Sequence, residues 1–215
     1  VSNLQTQIPT DTWVKTTWDE YLQVIEQPQL AKAKCYYHHG KSRIEMTPIG
    51  NDHASDHTVV MLAVNLYAIN KGIDFNGKDN CSYRKTGVKE AQPDASYYIG
   101  ENANAINYGT SIINLDIYPP PDLVIEVANT SLADDKGEKR ILYEDLGVSE
   151  YWIVDVQQPQ VIAFAVADGG SKRIDSSQVL PGLKIALLNE ALIRSRNTNQ
   201  RQVGAWLMEQ FRSEV

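Results

Sequence analysis

The 215-residue chain is short of several things that would narrow its function, and each shortage excludes something. It has two cysteines, Cys35 and Cys81, well separated in the sequence. That is too few for a disulfide framework or a zinc knuckle, and a reducing cytoplasm is the expected setting. No run is long and apolar enough to cross a bilayer, and the opening VSNLQTQIPT carries no signal-peptide pattern, so no membrane partner is expected. Positive charge is short as well: 20 Lys and Arg stand against 27 Asp and Glu, a formal net charge of −7. A general DNA coat protein would be strongly basic, so the balance argues against that class. It leaves room for enzymes that meet phosphates locally through a metal. There is no internal repeat and no low-complexity segment. What is present suits one α/β domain with additions, and a hydrophobic content of 42% can build a core.

The stretch Pro119-Pro120-Pro121-Asp122-Leu123-Val124-Ile125-Glu126-Val127-Ala128 organises the rest. Three prolines deliver an extended lead-in, and the Val/Ile-rich run after them has the pattern of a strand covered on both faces. Glu126 sits in the middle of that run. Strand alternation gives it the face of Val124 and Ala128, where an unpaired charge would be costly to bury. Such a position calls for a cation.

Before this strand, Thr17 and Glu20 have capping-box spacing and open a helix that Pro28 stops. Lys34–His38 and Ser42–Thr47 read as a hairpin around His39-Gly40-Lys41, with Arg43 and Glu45 on one face and Ile44 and Met46 on the other. Pro48 ends the second strand. A loop over Ile49–Asp56 then leads to a buried helix capped by Ser55 or Asp56, running through Asn70 and closed by Gly72. One strand is expected near Ser82–Lys85 and a second core strand, entered by proline, over Pro93–Ile99, where Asp94, Ser96 and Tyr98 share a face. Gly100–Gly109 reads as a loop, followed by the apolar run Ile112–Ile117. After the organising strand, Asn129–Ser131 can cap a helix reaching Leu146 before Gly147. Its inward stripe is Lys139, Leu142, Tyr143 and Leu146. Strands follow at Tyr151–Asp155 and Val161–Val166, with a shorter one near Gln178–Leu180. Residues Thr198–Arg212 form an amphipathic helix.

Three carboxylates thus fall on strands: Glu45, Asp94 and Glu126. Oxygen ligands of this kind suit Mg2+ or Mn2+, which would polarise a phosphoryl oxygen and lower the pKa of an attacking water. Lys139 is the matching cation. The plainer reading is that each acid caps a loop or pairs with Arg43, Arg84 or Lys139 as ordinary structure. His53 and His57, four apart, have the spacing of a zinc pair, but Asp52-His53 is expected in the loop and no third ligand stands near. Arg84, Lys85 and Lys89 read either as phosphate contacts or as a solvated loop.

The segments QPDASYYI, PPPDLVIEVANTS and GEKRILYEDLGVSEYWIVD, in this order and spacing, resemble a restriction-endonuclease-like family expanded in cyanobacteria, within the PD-(D/E)XK nuclease superfamily. The resemblance runs from TTWDEYLQVIEQP to LPGLKIAL. It implies an α/β fold, a restriction-endonuclease-like mixed central β-sheet flanked by α-helices. It also implies a metal-dependent endonuclease acting on DNA, with Asp94, Glu126 and Glu45 as metal-binding acids. The superfamily places its lysine two residues after the glutamate. Here that position is Ala128, and the resemblance implies that Lys139 on the following helix takes the role. Asp122 has the look of a "PD" motif, but it lies at the strand start, and Asp94 is preferred as ligand. The expected organisation is a nuclease domain over residues 1–183 and a C-terminal helical extension over 184–215, packing back on the domain or serving a homodimer. The rival expectation is a catalytically inactive interaction module that kept the nuclease fold.

Overall fold

Residues 8–46 and 49–213 are described in the structure, a computed structural model. Strand β1 (Val14–Lys15) leads to helix α1 (Trp18–Ile25), which opens with the full capping box: Thr17 accepts from the Glu20 amide and Glu20 from the Thr17 amide. A short 3-10 turn, Pro28–Leu30, follows. Strands β2 (Lys34–His38) and β3 (Lys41–Glu45) form the hairpin. Its turn is only two residues, His39 and Gly40, both with positive φ, the geometry that matches strand twist. Two residues rather than three set the register His38↔Lys41 through Lys34↔Glu45. The expected end of β3 at Thr47 and its stop at Pro48 lie outside the described residues.

Helix α2 (Asn51–Lys71) begins at Gly50, several residues before the expected cap, and ends on the left-handed Gly72. Asp56 does not cap it. Its carboxylate is fully buried and held by both terminal nitrogens of Arg196 at 2.8 and 2.6 Å. The early start puts His53 and His57 on the helix, not in a loop.

Strands β4 (Phe75–Asp79), β5 (Tyr83–Lys85), β6 (Lys89–Ala91) and β7 (Ala95–Ile99) follow. Of the expected run Ile112–Ile117 only β8 (Ile113–Asn114) is strand, and β9 (Leu123–Ala128) is the organising element. The helix expected after it is two, α3 (Leu132–Lys136) and α4 (Glu138–Leu146), broken at Gly137. A Cβ there would stand 3.0 Å from the Ala133 carbonyl, so the bend needs glycine. Strands β10 (Glu150–Asp155), β11 (Gln160–Ala167) and β12 (Gly170–Ile174) precede α5 (Ile185–Ser195) and α6 (Gln200–Ser213). The strand expected near Gln178–Leu180 is a turn. The Glu150 carboxylate accepts from the Gln178 and Val179 amides there, so those groups are satisfied without a ladder.

The strands make two six-stranded mixed sheets, β1-β3-β2-β6-β5-β8 and β12-β11-β10-β9-β7-β4, where one central sheet was expected. Strand β9 pairs parallel to β10 and antiparallel to β7. One face of the second sheet, with Leu123, Ile125 and Val127, packs under α2, α5 and α6 in the main core. The opposite face, with Val124 and Ala128, meets α4 and Tyr36 of the first sheet. Glu126 projects into that second layer.

Candidate active site

Glu126 is 2% exposed, and three side chains hold its carboxylate. The hydroxyls of Tyr143 and Tyr36 both donate to its Oε1, at 2.7 and 3.2 Å, and Lys139 Nζ lies 3.6 Å from Oε2. Burial pushes its pKa up to about 8, against the pull of Lys139. A neighbouring negative charge, Asp94, pushes the same way.

Lys139 is on the first turn of α4 and is itself 1% exposed. Its ammonium stands 2.9 Å from Glu45, 3.1 Å from Asp135 and 3.6 Å from Glu126. The Tyr36 ring lies 4.5 Å below it, a cation–π seat in a desolvated place. Burial alone would lower its pKa, but the three acids outweigh burial and keep the amine charged.

Asp94 directly precedes β7. The ladder pairs Ala95 with Ile125, so one step further along sets Asp94 opposite Glu126, on the same face. Its Oδ2 accepts the Val127 amide at 2.7 Å and faces His53 Nε2 at 3.4 Å, while Oδ1 takes the Lys34 ammonium. Burial opposes ionisation, yet Lys34 and His53 together hold the carboxyl well below the usual range. Glu45 ends β3, cross-strand from Lys34, and its Oε1 accepts from Arg43 at 2.7 Å as well as from Lys139. Burial raises its pKa, but Lys139 and Arg43 bring it below the ordinary value.

These groups line a cleft of about 260 Å3. Five carboxylates (Asp11, Glu45, Asp94, Glu126 and Asp134) face it, against the permanent cations Lys34, Arg43 and Lys139. With Glu126 protonated, four charged carboxylates still outnumber the three cations, and an oxygen-rich donor set of this kind fits a hard dication. Asp135 has an oxygen without a hydrogen-bond partner beside Lys139, which shows how fully that one ammonium is already shared.

Glu45, Asp94, Glu126 and Lys139, named from the sequence, therefore meet at one place from four elements. Lys34, Tyr36 and Asp135 were not named, and His53 was named only as half of a possible zinc pair with His57. Lys34 and Tyr36 were reachable, because a two-residue hairpin turn sets Lys34 across from Glu45 and strand alternation puts Tyr36 on its face. His53 was hidden by the misplaced helix start. Asp122 does not join the site: it ties the Ile99 amide at 2.7 Å and Asn102 at 2.8 Å at the far end of β9. The rings of His53 and His57 are 6.4 Å apart and turn to different carboxylates, Asp94 and Asp79. Arg84 is paired with Glu90 at 2.6 Å, and Lys89 donates to the Asp145 carbonyl at 2.6 Å. No helix among the described residues is long and apolar enough to cross a membrane.

Comparison with known proteins agrees with this architecture. No curated protein matches the chain. Among solved structures it is similar to a protein of Anabaena variabilis ATCC 29413 described as "a putative nuclease belonging to DUF820", with 18% identity and a TM-score of 0.54. The match covers 89% of this chain and 98% of that one. At that identity the likeness speaks for the fold alone, one of mixed α/β type. The family described as "Uma2: Putative restriction endonuclease" matches residues 18–196, most of the chain. This chain belongs to the Uma2 family.

Proposed function

We propose that the protein is a divalent-metal-dependent endodeoxyribonuclease that hydrolyses DNA phosphodiester bonds, using Mg2+ or Mn2+. The observation that carries this reading is the convergence of Glu45, Asp94, Glu126 and Lys139, from four separate elements, on one acidic cleft. Asp94 and Glu126, joined by Glu45, would hold the ion. When bound, it would supply phosphoryl polarisation and a more acidic water.

The chain's own residues do the rest. Tyr36 and Tyr143 fix the Glu126 carboxylate, and the Val127 amide fixes Asp94, so both acids are oriented before anything binds. Lys139 stays charged and offers an ammonium to a phosphate oxygen or an attacking water, with Glu45 and Asp135 holding its position. Lys34 and His53 both face Asp94 in the free protein and leave donors beside the phosphate path. We take residues 1–183 as the nuclease domain and 184–215 as an extension whose Val203, Leu207 and Phe211 join its core.

Nicking of supercoiled plasmid with Mg2+ or Mn2+ tests this, comparing the wild type with Asp94→Ala and Glu126→Gln while circular dichroism checks folding. Nicking by the wild type and none by the folded variants supports the assignment. Equal residual nicking by all three would overturn it. A second reading, an inactive nuclease-fold module, draws on the threefold sharing of Lys139 and on Ala128 at the superfamily's lysine position. Metal-independent DNA binding with no cleavage by the wild type favours it.

A further inference from the structure

Three side chains of metal-ligating type meet outside the cleft: Asp145 near the end of the helix that carries Lys139, His38 at the end of β2 and His39 in the β2–β3 turn. Asp145 is six residues beyond Lys139, about 9 Å along the axis of α4. Its Oδ2 stands 2.7 Å from His38 Nε2 and 3.1 Å from His39 Nε2. The two imidazoles stack, with centroids 3.8 Å apart and planes 20° off parallel, so both nitrogens face one carboxylate. One ligand atom from each residue falls within 4.8 Å of the others. None of the three residues lines the cleft.

We propose that His38, His39 and Asp145 form a binding site for a borderline divalent ion of the zinc class, separate from the cleft. Two imidazoles and one carboxylate are the donor set that such ions take in preference to Mg2+, which favours oxygen alone. His38 is 1% exposed and rigidly placed in β2, whereas the His39 side chain is 68% exposed, so the remaining coordination positions open to water. The ion would replace the hydrogen bonds that now join each ring to Asp145. It would tie the β2–β3 turn to the end of the helix whose first turn carries Lys139. Lys89, bonded to the Asp145 carbonyl at 2.6 Å, places a positive charge nearby and tempers the affinity.

The test separates this site from the cleft by removing the cleft acids. In an Asp94→Ala/Glu126→Gln background, Zn2+ is titrated into metal-free protein against a chromophoric chelator, alongside the same protein with His39→Ala or Asp145→Asn added. His39 is exposed but sits at a left-handed φ of 48°, so circular dichroism checks that His39→Ala keeps the fold. The expected result is one Zn2+ per chain, weakened at least ~10-fold by either added change, tightened by Lys89→Ala, and shifting the His38 and His39 ring resonances. Absence of stoichiometric Zn2+ in the background protein, or an affinity indifferent to His39→Ala, would overturn the assignment.

Discussion

The second sheet carries an ion cluster with a buried carboxylate on each of its faces, and the two are built on opposite principles. Over the main core, Asp56 and Arg196 form a closed pair: one fully buried carboxylate, one guanidinium, two bonds of 2.8 and 2.6 Å, with a third Arg196 bond to the Val156 carbonyl at 3.1 Å. Charges match and the pair ties α2 to the end of α5. On the other face, Lys139 serves three acids, Asp94 needs a separate lysine, and negative charge remains in excess beside a cleft. A matched pair is what structure alone asks for. The mismatched cluster spends stability on groups that only an added cation would balance.

The largest contrast is in activity. Asp94→Ala and Glu126→Gln should each lower plasmid nicking by ~10^3-fold or more, the scale of losing a group that acts at the reacting centre. Arg196→Ala should leave nicking per folded molecule unchanged. It should instead cost about 3 kcal/mol of stability in urea denaturation, because the Asp56 carboxylate is stranded in the core. An Arg196→Ala protein that is fully folded yet inactive would erase the distinction.

Protonation sharpens the same comparison. Glu126 has its pKa raised from 4.5 to about 8, with burial as the main cause. Below pH 4.5 both folded and unfolded chains hold this proton; between 4.5 and 8 only the folded chain keeps it. The metal-free protein should therefore lose stability as pH rises through that window, by of order 5 kcal/mol. Asp94 runs the other way: its lowered pKa contributes stability above the ordinary carboxylate range that is lost in acid. Glu126→Gln should flatten the loss between pH 5 and 8, read as melting temperature against pH in the presence of chelator. A wild-type profile that rises across that window would remove the argument. Saturating Mn2+ should restore about 2 kcal/mol or more to the wild type at pH 8, and nothing to Glu126→Gln.

Much of this layout was legible in the sequence, and what was missed has physical reasons. Glu126 stood out because a carboxylate in a two-faced strand is anomalous. Lys139 stood out because a stripe counted back from Tyr143 and Leu142 reaches it. Strands β4 and β12, with sequences FNGKD and GSKRI, edge the second sheet and are half exposed, so no apolar alternation marks them. Gly77 in β4 is there because the Tyr97 ring lies where a Cβ would be, 2.8 Å from its Cε1. That is a tertiary fact with no local signature. The start of α2 was misplaced because Asp56 has the chemistry of a cap while its real partner lies at Arg196, across the chain. Register within a hairpin can be counted from its turn; contacts between distant elements cannot.

The finest test uses two tyrosines that each donate one bond of 2.7 Å, one on each side of the sheet: Tyr143 to Glu126 and Tyr67 to the Pro181 carbonyl. Replacing either by phenylalanine keeps the ring and its packing, and each should cost about 1 kcal/mol of stability. Only Tyr143→Phe should also raise the Mg2+ concentration needed for half-maximal nicking, by a few-fold. Tyr36 cannot make up the loss, since its single hydroxyl proton is shared with the Gln92 carbonyl at 2.9 Å. Glu126 would then keep its place in the strand but lose the donor that aims its carboxylate. If both variants leave the metal requirement untouched, Tyr143 is packing of the same kind as Tyr67, and orientation of Glu126 must come from Lys139 and Tyr36.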